Sequence, residues 1–248
     1  MDISYILNDL NDAQREAITA ENTHALILAG AGSGKTRVLV HRIAWLTQVM
    51  GFSPYNVLAV TFTNKASSEM RGRIESLIGQ QAGGLTMGTF HGIAYRLLRQ
   101  HNQEVGLPQN FQILDSDDQK RVIKRLLKAM ELDENQWPHK QIQAFINGEK
   151  EEGRRPHHID IDHNPFVGKM VQVYKAYEEQ CQRSGLVDFA ELLLRAHELW
   201  LKNPQVLAHY QARYKHILVD EFQDTNTIQN ELLKHMVGID AEVLPAIP

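Results

Sequence analysis

Covalent and metal staples are almost absent from this chain. Its 248 residues include one cysteine, Cys181. That excludes an intramolecular disulfide framework, a four-cysteine zinc site and a four-cysteine iron–sulfur cluster, and it fits a reducing compartment. No apolar run approaches the ~18 residues of a membrane span. The start, Met1-Asp2-Ile3-Ser4, lacks the basic region of a secretory signal. The expectation is a cytoplasmic protein without a membrane partner. An excess of positive charge is missing too: 26 basic and 30 acidic residues leave a net −4, which alone argues against a nucleic-acid protein. What remains is an ordinary globular composition, 43% hydrophobic and 23% charged. At ~150 residues per domain, the length suggests about 1.7 domains.

Short apolar, β-rich runs at 24–30, 57–63, 85–90 and 216–221 predict strands. Each of the first three is followed by a helix-like stretch, at 35–50, 66–78 and 92–100. That alternation predicts a parallel sheet with crossover helices. Residues 91–214 read as helices: one over 119–130 puts Val122, Ile123, Leu126, Leu127 and Met130 on one face, and others follow at about 138–150, 165–183, 188–201 and 204–213. Asn164-Pro165 and Asn203-Pro204 mark starts, and Gly153 and Gly185 mark stops. The fold class is therefore α/β: a parallel-sheet domain in two chain segments, 1–90 plus 215–248, with an all-helical subdomain inserted over 91–214.

Ala29-Gly30-Ala31-Gly32-Ser33-Gly34-Lys35-Thr36 sits between a predicted strand and a predicted helix, which is the context of a phosphate-binding loop. Glycines let backbone N–H groups turn toward phosphate oxygens, and the helix N-terminus adds partial positive charge. Lys35 would reach the β- and γ-phosphates and the Thr36 hydroxyl would ligate Mg²⁺. The run Ile217-Leu218-Val219-Asp220-Glu221-Phe222-Gln223-Asp224 ends a strand in two carboxylates. Asp220 suits Mg²⁺ binding beside the loop, and Glu221 suits orienting or deprotonating the attacking water. The long interval from Lys35 to Asp220 supports the insertion.

These residues, with several others in order, resemble the superfamily 1A DNA helicases, the UvrD/Rep/PcrA group, over about residues 1–229. Leu10-Asn11-Asp12-Ala13-Gln14 is similar to that family's Q motif, which implies that Gln14 reads adenine. Ala29 to Arg37 is similar to motif I and puts Arg37 near the base. Ala59-Val60-Thr61-Phe62-Thr63-Asn64-Lys65-Ala66 and Gly88-Thr89-Phe90-His91-Gly92 resemble motifs Ia and Ib. That implies single-stranded DNA contacts from Thr61, Phe62, Thr63, Asn64, Thr89, Phe90 and His91. Leu186-Val187-Asp188-Phe189 matches a further family segment. Asp220 to Asp224 resembles motif II and adds Gln223 to the catalytic set of Lys35, Asp220 and Glu221. The resemblance implies a RecA-like domain and the ATPase half of an ATP-dependent 3′–5′ DNA helicase. Its cofactors are ATP and Mg²⁺; its partners are single-stranded and 3′-tailed duplex DNA, with repair proteins. The helicase part of a RecB- or AddA-type recombination nuclease, and a fragment that binds nucleotide or DNA without activity, are the alternatives. Without the resemblance, Phe62 and Phe90 read as core residues and Thr61, Thr63 and Asn64 as caps.

Other features carry less. Lys120, Arg121, Lys124, Arg125 and Lys128 make a basic helix face, read as solvated or as DNA-facing. The histidines of 157–163 lack helical ligand spacing and read as a loop. Cys181 reads as a packing residue. After motif II the family continues to a Gly-Asp-x-x-Gln-Ser motif III strand; here Asn230 to Gly238 and the divergent residues 239–248 follow. Motif III and a second RecA-like domain with its arginine fingers are not found, as in a truncated or frameshifted product. The expectation is a chain that binds Mg-ATP weakly, does not unwind duplex alone, and leaves the Asp220 strand with an open edge.

Overall fold

The computed structural model describes residues 3–21, 24–30, 32–161 and 164–238. Along the chain run α1 (Ser4–Leu7), α2 (Asp12–Thr19), α3 (Lys35–Ala44), β1 (Val57–Thr61), α4 (Asn64–Ile78), β2 (Thr86–Thr89) and α5 (Phe90–Gln100). Then come β3 (Gln112–Leu114), α6 (Ser116–Ala129), α7 (His139–Glu151), α8 (Pro165–Ser184) and β4 (Leu186–Asp188). The last elements are α9 (Phe189–Lys202), α10 (Pro204–Arg213), β5 (His216–Val219) and α11 (Thr227–Val237). They group into two compact units. One holds the chain up to Ile93 and returns for His209–Asp224; the other holds Ala94–Ala208 and the chain from Thr225 onward.

The first unit is built on a parallel sheet of order β2-β1-β5. Every residue of the central strand β1 is buried. A parallel strand covered on both faces shows a continuous apolar run rather than alternation, which is how 57–61 reads. Val40 and Ile43 of α3 and Met70 and Ile74 of α4 pack with Val57, Ala59 and Met87. Full burial of such side chains contributes about 1.5–3 kcal/mol each. Thr63 starts α4 by accepting from Ala66 N at 3.1 Å. The start of β5 is tied to β1 where Asn56 Nδ2 donates to Arg213 O at 2.8 Å and Lys215 N donates to Asn56 O at 2.9 Å.

One expected strand does not form. Residues 24–30 form no regular secondary structure and lie outside the sheet, with Leu26, Ile27 and Leu28 exposed at 51%, 41% and 75%. Strand propensity is a fitness for a pleated, half-buried surface rather than a backbone preference. Among the described residues the outer edge of β5, which is paired with β1 alone, is left unpaired.

In the second unit, the apolar stripe of α6 behaves as its spacing requires. Ile123 and Leu127 are fully buried, and Val122, Leu126 and Met130 pack against the same cluster, with Ile142 and Ile146 of α7 and Val173, Tyr174 and Tyr177 of α8. Asp115 caps α6 by accepting from Asp117 N and Asp118 N. Gly185 ends α8 at φ +63°, a left-handed geometry that favours glycine; a Cβ there would lie 2.7 Å from Pro108 Cγ. Two sequence expectations change here. The unit is not all-helical, because β3 and β4 pair in parallel, Gln112 beside Leu186 and Leu114 beside Asp188. And α11 packs on α9 and α7, burying Ile228, Leu232 and Leu233, so the chain from Thr225 groups with the second unit and not with the sheet.

Candidate functional site

The glycine-rich loop delivers its geometry to the start of α3. Gly32 and Gly34 hold φ of +75° and +85°, the region where a Cβ is costly. Gly34 occupies the N-cap position and no side chain caps α3. The first-turn N–H groups of a helix have no intrahelical acceptors, so those of Lys35 and Thr36 face outward as an anion-binding end. Ser33 closes the loop, its Oγ donating to Gly30 O at 2.7 Å. Lys35 Nζ donates to Ala29 O and Gly30 O at 3.1 and 3.3 Å, which lays the ammonium over the loop. Ala31 lies outside the described residues.

Gln14 joins this loop from α2. Its Nε2 donates to Ser33 O at 3.0 Å, its Oε1 accepts from Asn11 N at 3.1 Å, and its own N–H donates to Asn11 Oδ1 at 2.8 Å. The last two make a capping box, which aligns the helix start. Arg42, seven residues beyond Lys35, was missed by the sequence reading. It donates to Ile18 O and Ala20 O at 2.7 Å each, binding the carbonyl end of α2 to α3; burial lowers its pKa. Helix α2 is thus fixed at both ends against the loop and α3. The local sequence carried no signal for Arg42, because its partners are carbonyls some twenty residues away.

Asp220 follows β5, its N–H donating to Val60 O at 3.0 Å. The residue is 7% exposed, and its Oδ1 accepts from Glu221 N at 3.1 Å. Burial raises its pKa above the ordinary aspartate value and the Glu221 charge adds to this. Lys35 is near enough for its charge to pull the other way. Glu221 takes φ +50°, unusual for a residue with a Cβ, and Gln223 Nε2 donates to its Oε2. The Gln223 amide therefore orients the Glu221 carboxylate. Arg37 does not join them in the same way. It lines a cleft of about 630 Å³ between α3 and α4 with His41, Glu69 and Arg73.

The candidate DNA residues also lie at the carboxyl ends of the strands, where open α/β sheets bind ligands. Thr61 sits beside Thr89 across the β1–β2 pair. Their surroundings differ. Thr61 is fully buried and donates to Thr63 O at 3.2 Å. Thr63 and Thr89 accept from Ala66 N and Gly92 N, each at 3.1 Å, and serve as helix caps. Phe90 is 7% exposed and meets half-buried Phe62 edge-to-face at 5.6 Å. Asn64 is exposed and His91 half-buried, with burial lowering the His91 pKa. Of the set, Phe62, Thr63, Asn64 and His91 offer surface to a ligand; Thr61 and Phe90 hold the strand ends in place.

The second unit has its own polar centre, again unread in the sequence. Asp188 Oδ2 accepts from Lys150 Nζ at 2.6 Å, Tyr177 Oη at 2.8 Å and Gln119 Nε2 at 3.3 Å, while its Oδ1 caps α9 through Glu191 N at 2.7 Å. Glu191 meets Lys150, Arg155 and Arg195. Burial pushes the neighbouring Cys181 thiol up to about 11, an inert packing thiol. The basic face of α6 is partly neutralised by exposed pairs, Lys120 with Asp117, Arg121 with Asp118 and Lys124 with Glu134, the pattern of a solvated surface. Of the 157–163 histidines, His163 lies outside the described residues. No described helix is long and apolar enough to cross a membrane.

Comparison with known proteins gives the same answer as the motif order. Residues 10–245 match the family described as UvrD/REP helicase N-terminal domain. The chain is 59% identical to DNA helicase II of Escherichia coli (strain K12) over 98% of this chain and 34% of that protein. It is 53% identical to DNA helicase II of Haemophilus influenzae, again over 98% of this chain and 34% of the relative. It is 41% identical to the ATP-dependent DNA helicase PcrA of Staphylococcus epidermidis, over 92% and 32%. The chain thus spans about a third of the length of these relatives, and on the match to residues 10–245 it belongs to the UvrD/REP helicase N-terminal domain family.

Proposed function

We propose that this chain is the ATP-binding part of an ATP-dependent 3′–5′ DNA helicase acting on single-stranded and 3′-tailed duplex DNA, with a role in repair and replication in the cytoplasm. Its first unit is read as a RecA-like P-loop domain in two chain segments, interrupted by the helical unit as an inserted subdomain. The observation that carries this is the glycine-rich loop at the uncapped start of α3, in a chain whose residues 10–245 match the UvrD/REP helicase N-terminal domain.

Each residue then has a task. The N–H groups of the loop from Gly30 to Thr36, with Ala29 and Ser33 shaping it, take the ATP phosphates. Lys35 exchanges its bonds to Ala29 O and Gly30 O for β- and γ-phosphate oxygens. Thr36 and Asp220 fit as Mg²⁺ ligands: among the described residues the Asp220 carboxylate accepts only one hydrogen bond, from Glu221 N, which leaves lone pairs for a hard cation. When bound, Mg²⁺ would supply positive charge to offset the charge of the phosphates. Glu221, held by Gln223, orients the attacking water and takes its proton. Gln14 turns its amide to the adenine edge, and Arg37 lies beside the base. Phe62, Thr63, Asn64 and His91 form the solvent-reaching part of the DNA track, with Phe62 able to stack on a base for ~1–3 kcal/mol, while Thr61, Thr89 and Phe90 hold the strand ends behind them. Unwinding and partner choice belong to the whole protein.

The test is the ATPase rate of the 248-residue chain with and without single-stranded DNA, beside Lys35→Ala. A DNA-stimulated rate abolished by Lys35→Ala supports the reading. A rate insensitive to both overturns it.

A further inference from the structure

Helices α9 and α11 pack on one another in the second unit. At their contact three ligand-type side chains converge: His197 from α9, and Glu231 and His235 from α11. One nitrogen of each imidazole and one Glu231 oxygen all lie within 4.8 Å of one another, and all three residues are half-buried. Glu231 and His235 stand four apart, so they share one helix face. The two imidazole rings are 5.2 Å apart, centroid to centroid. None of the three belongs to the glycine-rich loop or to the strand ends.

We propose that His197, Glu231 and His235 form a transition-metal site of the Zn²⁺ class that clamps α11 to α9. Zinc holds nitrogen and oxygen ligands at ~2.0–2.2 Å, so tetrahedral neighbours lie ~3.4 Å apart. Donor atoms already within 4.8 Å reach that spacing by side-chain rotation, with both helices staying in place. Two imidazoles with one carboxylate select a borderline cation; Mg²⁺ and Ca²⁺ prefer all-oxygen shells. Three protein ligands leave the fourth position to water. Lys234 Nζ donates to Glu231 Oε1 at 2.8 Å. A carboxylate accepts at several positions, so Lys234 remains as an outer partner that orients the ligand. A bound ion fixes α11, the helix that follows Asp220 to Asp224 in the chain.

The experiment is a calorimetric titration of metal-free 248-residue chain with Zn²⁺, followed by Co²⁺ substitution read from the visible absorption of a tetrahedral centre. One ion per chain is expected. His235→Leu, which keeps the side-chain volume, and Glu231→Gln, which keeps the shape, each weaken binding by on the order of a hundredfold and remove the Co²⁺ band. The paired variant His157→Ala with His158→Ala leaves both readouts unchanged. Absence of stoichiometric binding to the wild type overturns the proposal. So does binding that survives His235→Leu and Glu231→Gln, or binding lost with the His157 and His158 variant.

Discussion

Lys150→Met is the most demanding test of the second unit. The Lys150 side chain is 2% exposed, with its ammonium 2.6 Å from Asp188 Oδ2 and 2.9 Å from Glu191 Oε2. Methionine fills nearly the same volume, so the packing beside Tyr174 and Tyr177 survives. What is lost is the cation between two buried carboxylates. Removing one partner of a buried pair costs about 3–5 kcal/mol, because the remaining charge stays desolvated. Here Glu191 keeps Arg155 and Arg195 and Asp188 keeps Tyr177 and Gln119, which places the expected loss near the lower end, about 3 kcal/mol. At ~2–4 °C per kcal/mol for units of this size, the melt of this unit falls by about 6–12 °C. The double variant Lys150→Met, Asp188→Asn removes the one carboxylate left without a cation, since Glu191 keeps Arg155 and Arg195, and recovers part of that loss. The sign with pH follows from the shifts. Burial alone would lower the Lys150 pKa, but Asp188 and Glu191 outweigh it and raise it. Burial alone would raise that of Glu191, but Lys150, Arg155 and Arg195 outweigh it and depress it. A depressed carboxylate stabilises above its unfolded pKa and a raised lysine below its own, so the wild-type advantage is flat across neutral pH. It fades only in strong acid or strong base. A Lys150→Met melt within about 1 °C of wild type would refute the reasoning.

Two further predictions concern the first unit. The raised Asp220 pKa means the folded chain holds that proton more tightly than the unfolded chain, so its contribution is full below the unfolded pKa and lost as pH rises through the folded one. Asp220→Asn therefore melts higher than wild type at neutral pH, with the gap closing in acid, while ATPase falls by on the order of 10²-fold or more; an unchanged rate would contradict the assignment. Gly34→Ala puts a Cβ 3.0 Å from Gln14 Nε2 at a φ of +85°, which costs roughly 1–2 kcal/mol and loosens the Gln14–Ser33 bond. Denaturation should show the loss, and nucleotide affinity should fall with it.

What the sequence revealed follows from how local each signal is. The start of α3 after Gly32 and Gly34 and the acidic residues that follow β5 were readable because each is written in consecutive residues. The α6 stripe was readable from period alone, and the Asn164 and Gly185 caps from residue type. Residues 24–30 were misread because an apolar, β-rich run marks fitness for a sheet and not the pairing itself; the outer edge of β5 stays unpaired among the described residues. The β3–β4 pair is too short, at three residues each, for periodicity to register. Arg42, Lys150 and the His197 cluster act across tens of residues, so no window of sequence contains both partners. Thr61 shows the limit of motif transfer: it holds the expected place, but its side chain is turned inward.

The central claim is that Lys35 and Asp220 belong to one Mg-nucleotide site in this chain. The most direct measurement is equilibrium titration of the 248-residue chain with a fluorescent ATP analogue in the presence and absence of Mg²⁺, beside Lys35→Ala and Asp220→Asn. Loss of a charged hydrogen-bonding group costs ~1.5–3 kcal/mol, so Lys35→Ala should weaken saturable binding ~10- to 100-fold, and Asp220→Asn should abolish the Mg²⁺ dependence. Equal affinities for all three proteins, with and without Mg²⁺, would contradict the account.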